Sequence, residues 1–179
     1  MSAAQAIESI FVVQETSWVQ AMRKVMYCGE WLQSHSLHIH LLAAPDFLGV
    51  DSVIEMAADN AEAVRRGIRL QTLGNDLIAL LGARSVHPVG MCIGGFFSVP
   101  KQTDVANLVD RLQQAKADAE AVLQWVSGFD LPDDQQDFTS VSLRHAQDYP
   151  MNGGRIISDQ GLDIDISDYE QHFEEQHIA

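Results

Sequence analysis

Apolar and polar positions recur at helical spacing over most of the first two-thirds of the chain. "SAAQAIESIF" is predicted to form a short helix. Ser17 with Gln20 makes a capping-box pattern, and the apolar stretch that follows should end at Ala44, ahead of Pro45. Ser52 with Glu55 repeats that signal, and a second long helix is predicted towards "LLG", with Gly82 as its stop. Gly67 and Gly74 weaken that helix without breaking it. From Ala83 to Pro100 the pattern changes to "ARSVHPVGMCIGGFFSVP", a loop with short extended pieces. A third helix is predicted from about Asp104 to Ser127, between Thr103 and Gly128.

The tail differs in kind. "FDLPDDQQDF" reads as a connection, and "RIISDQGLDIDIS" alternates with period two on both sides of "DQG", the pattern of a β-hairpin. Ser167 with Glu170 then caps a short terminal helix. The expected fold is mainly α. A bundle-like body of long helices spans residues 1–129 with an irregular loop at 83–100; an acidic connection, hairpin and terminal helix fill 130–179, together one domain.

With 179 residues the chain can build one sizeable core. Its formal charge of -14 is uneven: residues 130–179 hold 12 acidic and 2 basic side chains. Such a surface repels phosphate backbones, so nucleic acid is not an expected partner. A solvated face is the simpler reading. No run approaches the roughly 18 apolar residues of a membrane span, and the first residues lack the basic region of a secretory signal. A cytoplasmic protein with no membrane association is expected. Cys28 and Cys92 stand far apart, with no CxxC, which excludes a disulfide framework and a thiolate metal cage built from these residues; both are expected to be small buried hydrophobes.

The densest candidate chemistry is "CGEWLQSHSLHIHLLAAPDFLG", with three histidines in six residues. On a straight α-helix His35 and His38 lie about 60° apart, whereas His40 lies roughly 200° from His38. One ion cannot take all three. Glu30, roughly 80° from His38, converges poorly, and a di-iron bundle would need a paired Glu-x-x-His signature that is absent. Hydrogen-bonded buried polar groups are the simpler reading, and no metal ligand is assigned. "GMCIGGFF" is not a dinucleotide fingerprint; Gly94 and Gly95 fit a positive-φ turn or a close backbone approach. Arg84 and His87 stand just before it and are expected to cap the preceding helix or to present donors to a neighbouring site.

Taken in order, "GEWLQSHSLHIHLLAAPDFLG", "RRGIRLQTLGNDLIALLGARSVHPVGMCIGGFFSVP" and "GGRIISDQGLDIDISDYEQHFEE" resemble the central part of the large (α) subunit of nickel–iron hydrogenases, in the cytosolic branch coupled to a pyridine nucleotide or a deazaflavin. The matching features are Q-S-H-x-x-H before P-D, G-x-R-x-x-H-P followed by G-G, and the closing hairpin with D-Y-x-x-H. The resemblance implies an oxidoreductase that interconverts hydrogen with protons and electrons. It also implies a nickel–iron centre held by four thiolates, an electron-acceptor module and an iron–sulfur small subunit. His35, His38, Arg84, His87, Gly94 and Gly95 would then surround and support that centre without touching the metal. Both CxxC pairs of the family are missing, so the chain is expected to be a fragment that holds no cofactor and shows no activity alone. An exposed apolar face and self-association are expected in consequence. The alternative is a metal-free helical scaffold akin to the hydrogenase-like subunit of respiratory complex I.

Overall fold

The computed structural model describes residues 1–177 and divides into two compact units, Met1–Pro132 and Asp133–Ala179. The first is helical. Helix α1 (Ser2–Ile10) is followed by α2 (Ser17–Leu37), which runs on through a π-helical segment (His38–Ala43) into α3 (Ala44–Leu48). Two long helices follow, α4 (Val53–Gly82) and α5 (Gln102–Val126), with a two-residue-strand hairpin between them, β1 (Met91–Cys92) and β2 (Gly95–Phe96). The mainly α architecture matches expectation.

Local chemistry sets the helix ends, and in places it differs from the pattern. Thr16, still extended, caps α2 by accepting the Val19 N–H at 3.3 Å, so Ser17 is already the first helical residue. Ser52 caps α4 through the Glu55 N–H as expected, while the Glu55 carboxylate returns to the N–H of Asp51 rather than that of Ser52. Helix α4 ends at Gly82, but the left-handed residue is Ala83 (φ 66°), and the Gly82 carbonyl accepts from Val89 and Gly90. Helix α5 starts at Gln102, ahead of Thr103, with Lys101 at its N-cap and no side-chain cap.

Pro45 does not end the histidine helix. Its missing N–H and its ring forbid a regular α turn there. The wider π turn at His38–Ala43 absorbs the mismatch and lets Pro45 sit in the first turn of α3. The chain turns only at Gly49, whose φ of 70° suits a residue without Cβ.

The core lies between α2 and α4, with α5 laid against α4. Met26, Ile78 and Leu81 form one buried cluster, and Leu73, Leu77 and Leu108 another. Each such side chain contributes about 1.5–3 kcal/mol of burial. The two glycines that weaken α4 on paper are contact points instead. A Cβ on Gly74 would stand 2.4 Å from the Gln33 backbone nitrogen and 2.6 Å from the Gly29 carbonyl oxygen, so the two helices can cross at this distance only without it.

In the second unit three antiparallel strands are ordered β3 (Val141–Arg144), β4 (Arg155–Ser158) and β5 (Asp163–Asp165). The predicted hairpin is β4–β5, with Ile156 opposite Ile164. No sequence pattern predicts strand β3; of its four side chains only Leu143 is even half-buried, leaving almost no alternation to detect. Asp165, not Ser167, caps the terminal turn by accepting the Ser167 N–H at 3.0 Å, ahead of α6 (Tyr169–His172).

Candidate functional site

Of the three histidines only one is buried, which corrects the expectation of burial for His35 and His38. His35 and His38 are exposed, and the Nδ1–H of His35 donates to the Trp31 carbonyl at 2.8 Å. His40 is the buried one, fully so. Its Nδ1–H donates to the Ser36 carbonyl at 3.0 Å, and its ring stacks on Trp125 with centroids 5.4 Å apart. The helix opposite makes room with Gly67, where a Cβ would come within 2.5 Å of the His40 side chain. Burial pushes the His40 pKa down and the Arg66 charge adds to this, against the pull of the Ser36 carbonyl and Asp118. Arithmetic on a straight helix separates His40 from the pair His35 and His38 in the same way, but does not say which face is buried.

The loop after α4 folds onto the helix end. Arg84 donates through Nε to the His87 carbonyl at 2.6 Å, so it ties the loop rather than capping α4. His87 is held at φ 50°, a conformation uncommon for residues with a Cβ. Its side chain joins the rim of a cleft of about 590 Å³. Met26, Ile78 and Met91 line the cleft with apolar surface, Trp31 adds an aromatic face, and Tyr27, Glu30, Gln33, Asn75 and Ser85 bring polar groups from α2, α4 and the loop.

Gly94 and Gly95 differ: Gly95, opposite Cys92 in the β1–β2 pair, has no positive φ, and a Cβ there would meet Val19 at an ordinary 3.6 Å, so neither expected reason for glycine applies to it. Gly94 takes the expected positive φ (77°) in the β1–β2 turn, and its N–H donates to the Glu8 carboxylate at 2.6 Å. Glu8 is 4% exposed and Arg23 not at all. The Arg23 guanidinium grips Glu8 with both Nη atoms, at 2.6 and 2.8 Å, and also reaches Glu15. Burial tends to raise the Glu8 pKa, but the Gly94 N–H and Arg23 outweigh it and hold the carboxyl below its ordinary value. The network ties α1, α2 and the glycine hairpin together. Sequence reasoning misses it; the one available hint is a lone basic residue on an otherwise buried helix face.

The six predicted residues thus do not converge. His87 borders the cleft, His35 lies in the last turn of α2 and His38 opens the π-helical segment, and Gly94 rests on Glu8. Neither cysteine is the small buried hydrophobe expected: Cys28 is exposed, on the solvent side of α2, and Cys92 is half-buried on β1. They stand singly, and among the described residues no three His, Cys, Asp or Glu side chains are grouped to hold a metal. These residues do not fit a centre that needs four thiolates.

In fold and sequence the chain is similar to hydrogenase large subunits. The chain is 29% identical over 115 residues to the sulfhydrogenase 1 alpha subunit of Pyrococcus furiosus, a stretch covering 64% of this chain and 27% of that one. It is 28% identical over 132 residues to an F420-non-reducing hydrogenase subunit of Methanothermobacter marburgensis, covering 69% and 28%. The crystal structure of an NAD+-reducing nickel–iron hydrogenase in the H2-reduced state shares the fold at a TM-score of 0.77, with 24% identity, over 88% of this chain and 40% of that one. No family model matches. The chain spans about a quarter of the length of the curated relatives it matches, and its resemblance to part of a nickel–iron hydrogenase large subunit is borne out.

Proposed function

We propose that these residues are the helical framework of a nickel-dependent hydrogenase large subunit, whose whole enzyme interconverts hydrogen with protons and electrons. The observation that supports this most is sequence similarity to hydrogenase α-type subunits over about two-thirds of the chain. When bound, a nickel–iron centre would supply the hydrogen chemistry of the whole enzyme. The framework would supply shape: the Glu8–Arg23 network fixes the glycine hairpin, and the Arg84 bond fixes the His87 loop. His35, His38, Arg84, His87, Gly94 and Gly95 are proposed to shape the protein around the centre rather than to ligate it.

The 179 residues alone are expected to bind no nickel and to show no activity, because the donor set does not fit. The test is metal analysis and hydrogen-dependent dye reduction by the purified chain. Stoichiometric nickel or measurable dye reduction would overturn the reading. The same donor set favours a second reading, a metal-free scaffold subunit, for which co-purification with an iron–sulfur partner but no nickel would speak. An electron-acceptor module and an iron–sulfur small subunit belong to the proposal for the whole enzyme, as does the cytoplasm. No helix among the described residues is long and apolar enough to cross a membrane. Phe11, Phe97 and Val99, each more than 70% exposed, support self-association of the chain on its own, and a monomer in sedimentation at high concentration would count against that.

A further inference from the structure

The cleft between α2, α4 and the His87 loop carries a proposal that does not depend on the hydrogenase reading. Where α2 crosses Gly74 of α4, Gln33 from one helix and Asn75 from the other both line the cleft, so it carries two half-buried primary amides. Tyr27 and Ser85 add hydroxyls, also half-buried. Among the described residues none of these four side chains, nor that of Glu30, has a hydrogen-bond or ion-pair partner. Half-buried polar groups left without partners on the wall of one cleft are satisfied by water or by a ligand.

The chemistry narrows the ligand. No lysine or arginine side chain lines the cleft; its charged groups are the Glu30 carboxylate and the single α-ammonium of Met1, and the chain carries a formal charge of -14, so an anion is disfavoured. Glu30, exposed at the edge of the cleft, and Trp31 both line it, and a carboxylate and an indole ring lining one cleft suit a guanidinium or ammonium group. A primary amide offers a donor and an acceptor side by side, the pairing that a peptide group presents in return. Met26, Ile78 and Met91 give an apolar floor for a side chain. At about 590 Å³ the cleft is of small-ligand size and takes a short stretch of chain, not a folded domain.

We infer that this cleft binds a short peptide segment carrying a basic side chain, with Gln33 and Asn75 pairing its backbone amides and Glu30 its cation. The test is a titration of the 15N-labelled 179-residue chain with acetyl-Leu-Arg-Leu-N-methylamide, following the side-chain amide signals of Gln33 and Asn75. Acetyl-Leu-Glu-Leu-N-methylamide is the control. Saturable shifts are expected with the basic probe, about tenfold weaker binding of the acidic one, and about tenfold loss for Glu30→Gln. Asn75→Ala, on a half-buried site, should weaken the basic probe while leaving the rest of the spectrum in place. No saturable shift, equal binding of the two probes, or indifference to Glu30→Gln would each overturn the proposal.

Discussion

Replacing Arg23 by Met tests whether the buried ion network holds the first unit together. Methionine keeps an unbranched side chain of similar length, so packing is largely preserved and the main loss is charge. Glu8, 4% exposed, would keep the Gly94 N–H but lose both guanidinium bonds, with Glu15 still beside it. Removing one partner of a buried pair costs about 3–5 kcal/mol, because the other charge stays desolvated. For the unit Met1–Pro132, with about 2.1 cal/mol/K of unfolding entropy per residue, that is a fall in Tm of roughly 11–18 °C. Urea unfolding followed by helical circular dichroism gives the free energy directly. The sign of the pH dependence separates charge from packing. In the native chain the Glu8 pKa is lowered, so its contribution is present above about 4.5, the unfolded value, and is lost as pH falls. In Arg23→Met burial acts without the cation and raises that pKa, so the carboxyl is tolerated once protonated. The gap between the two proteins should therefore be widest at neutral pH and shrink towards pH 4. A gap below about 1 kcal/mol at pH 7, or one that does not change with pH, would refute the reasoning.

Gly74→Ala should gain about 1 kcal/mol of helix propensity yet destabilise overall by about 1–3 kcal/mol. The new Cβ meets backbone atoms of α2 at 2.4 and 2.6 Å, which chemical denaturation would register. His40, with its pKa lowered by burial, favours the folded state above about pH 6.5 and ceases to do so as the pH falls through the lowered value. The unfolding free energy of His40→Leu should accordingly fall less steeply than that of the native chain between pH 6.5 and 5; equal slopes would exclude His40 as the source. The purified chain should carry no stoichiometric nickel by elemental analysis and reduce no dye with hydrogen, since Cys28 and Cys92 stand singly.

How far sequence suffices depends on whether a feature is local. The long helices, the irregular loop, the positive φ at Gly94 and the β4–β5 hairpin follow from spacing and turn residues and are legible. So is the hydrogenase resemblance, because it rests on ordered motifs. Strand β3 is not, since its exposed residues carry no burial pattern. Asp165 displaces Ser167, and Thr16 displaces Ser17, because the cap is whichever side chain sits on the last extended residue, which depends on a backbone angle.

The site fails to emerge for a related reason, visible in the histidine helix. Placing three side chains by 100° steps assumes an unbroken α register, and reading Pro45 as a stop makes the same assumption. The 100° steps nonetheless set His40 on the face opposite His38, as the structure has it, and what they cannot give is which of those faces is covered. What then buries His40 is not in its own helix at all. Gly67 opens the space on α4, and Trp125 closes it from the end of α5, 85 residues further along the chain. The Glu8–Arg23–Gly94 network has the same character, joining residues 86 apart through a carboxylate whose pattern resembles that of any surface glutamate. A glycine in a helix and a lone arginine on an apolar face are the only marks either feature leaves in the sequence. Both become legible once they are taken as evidence of a close partner rather than as weak points of the element that carries them.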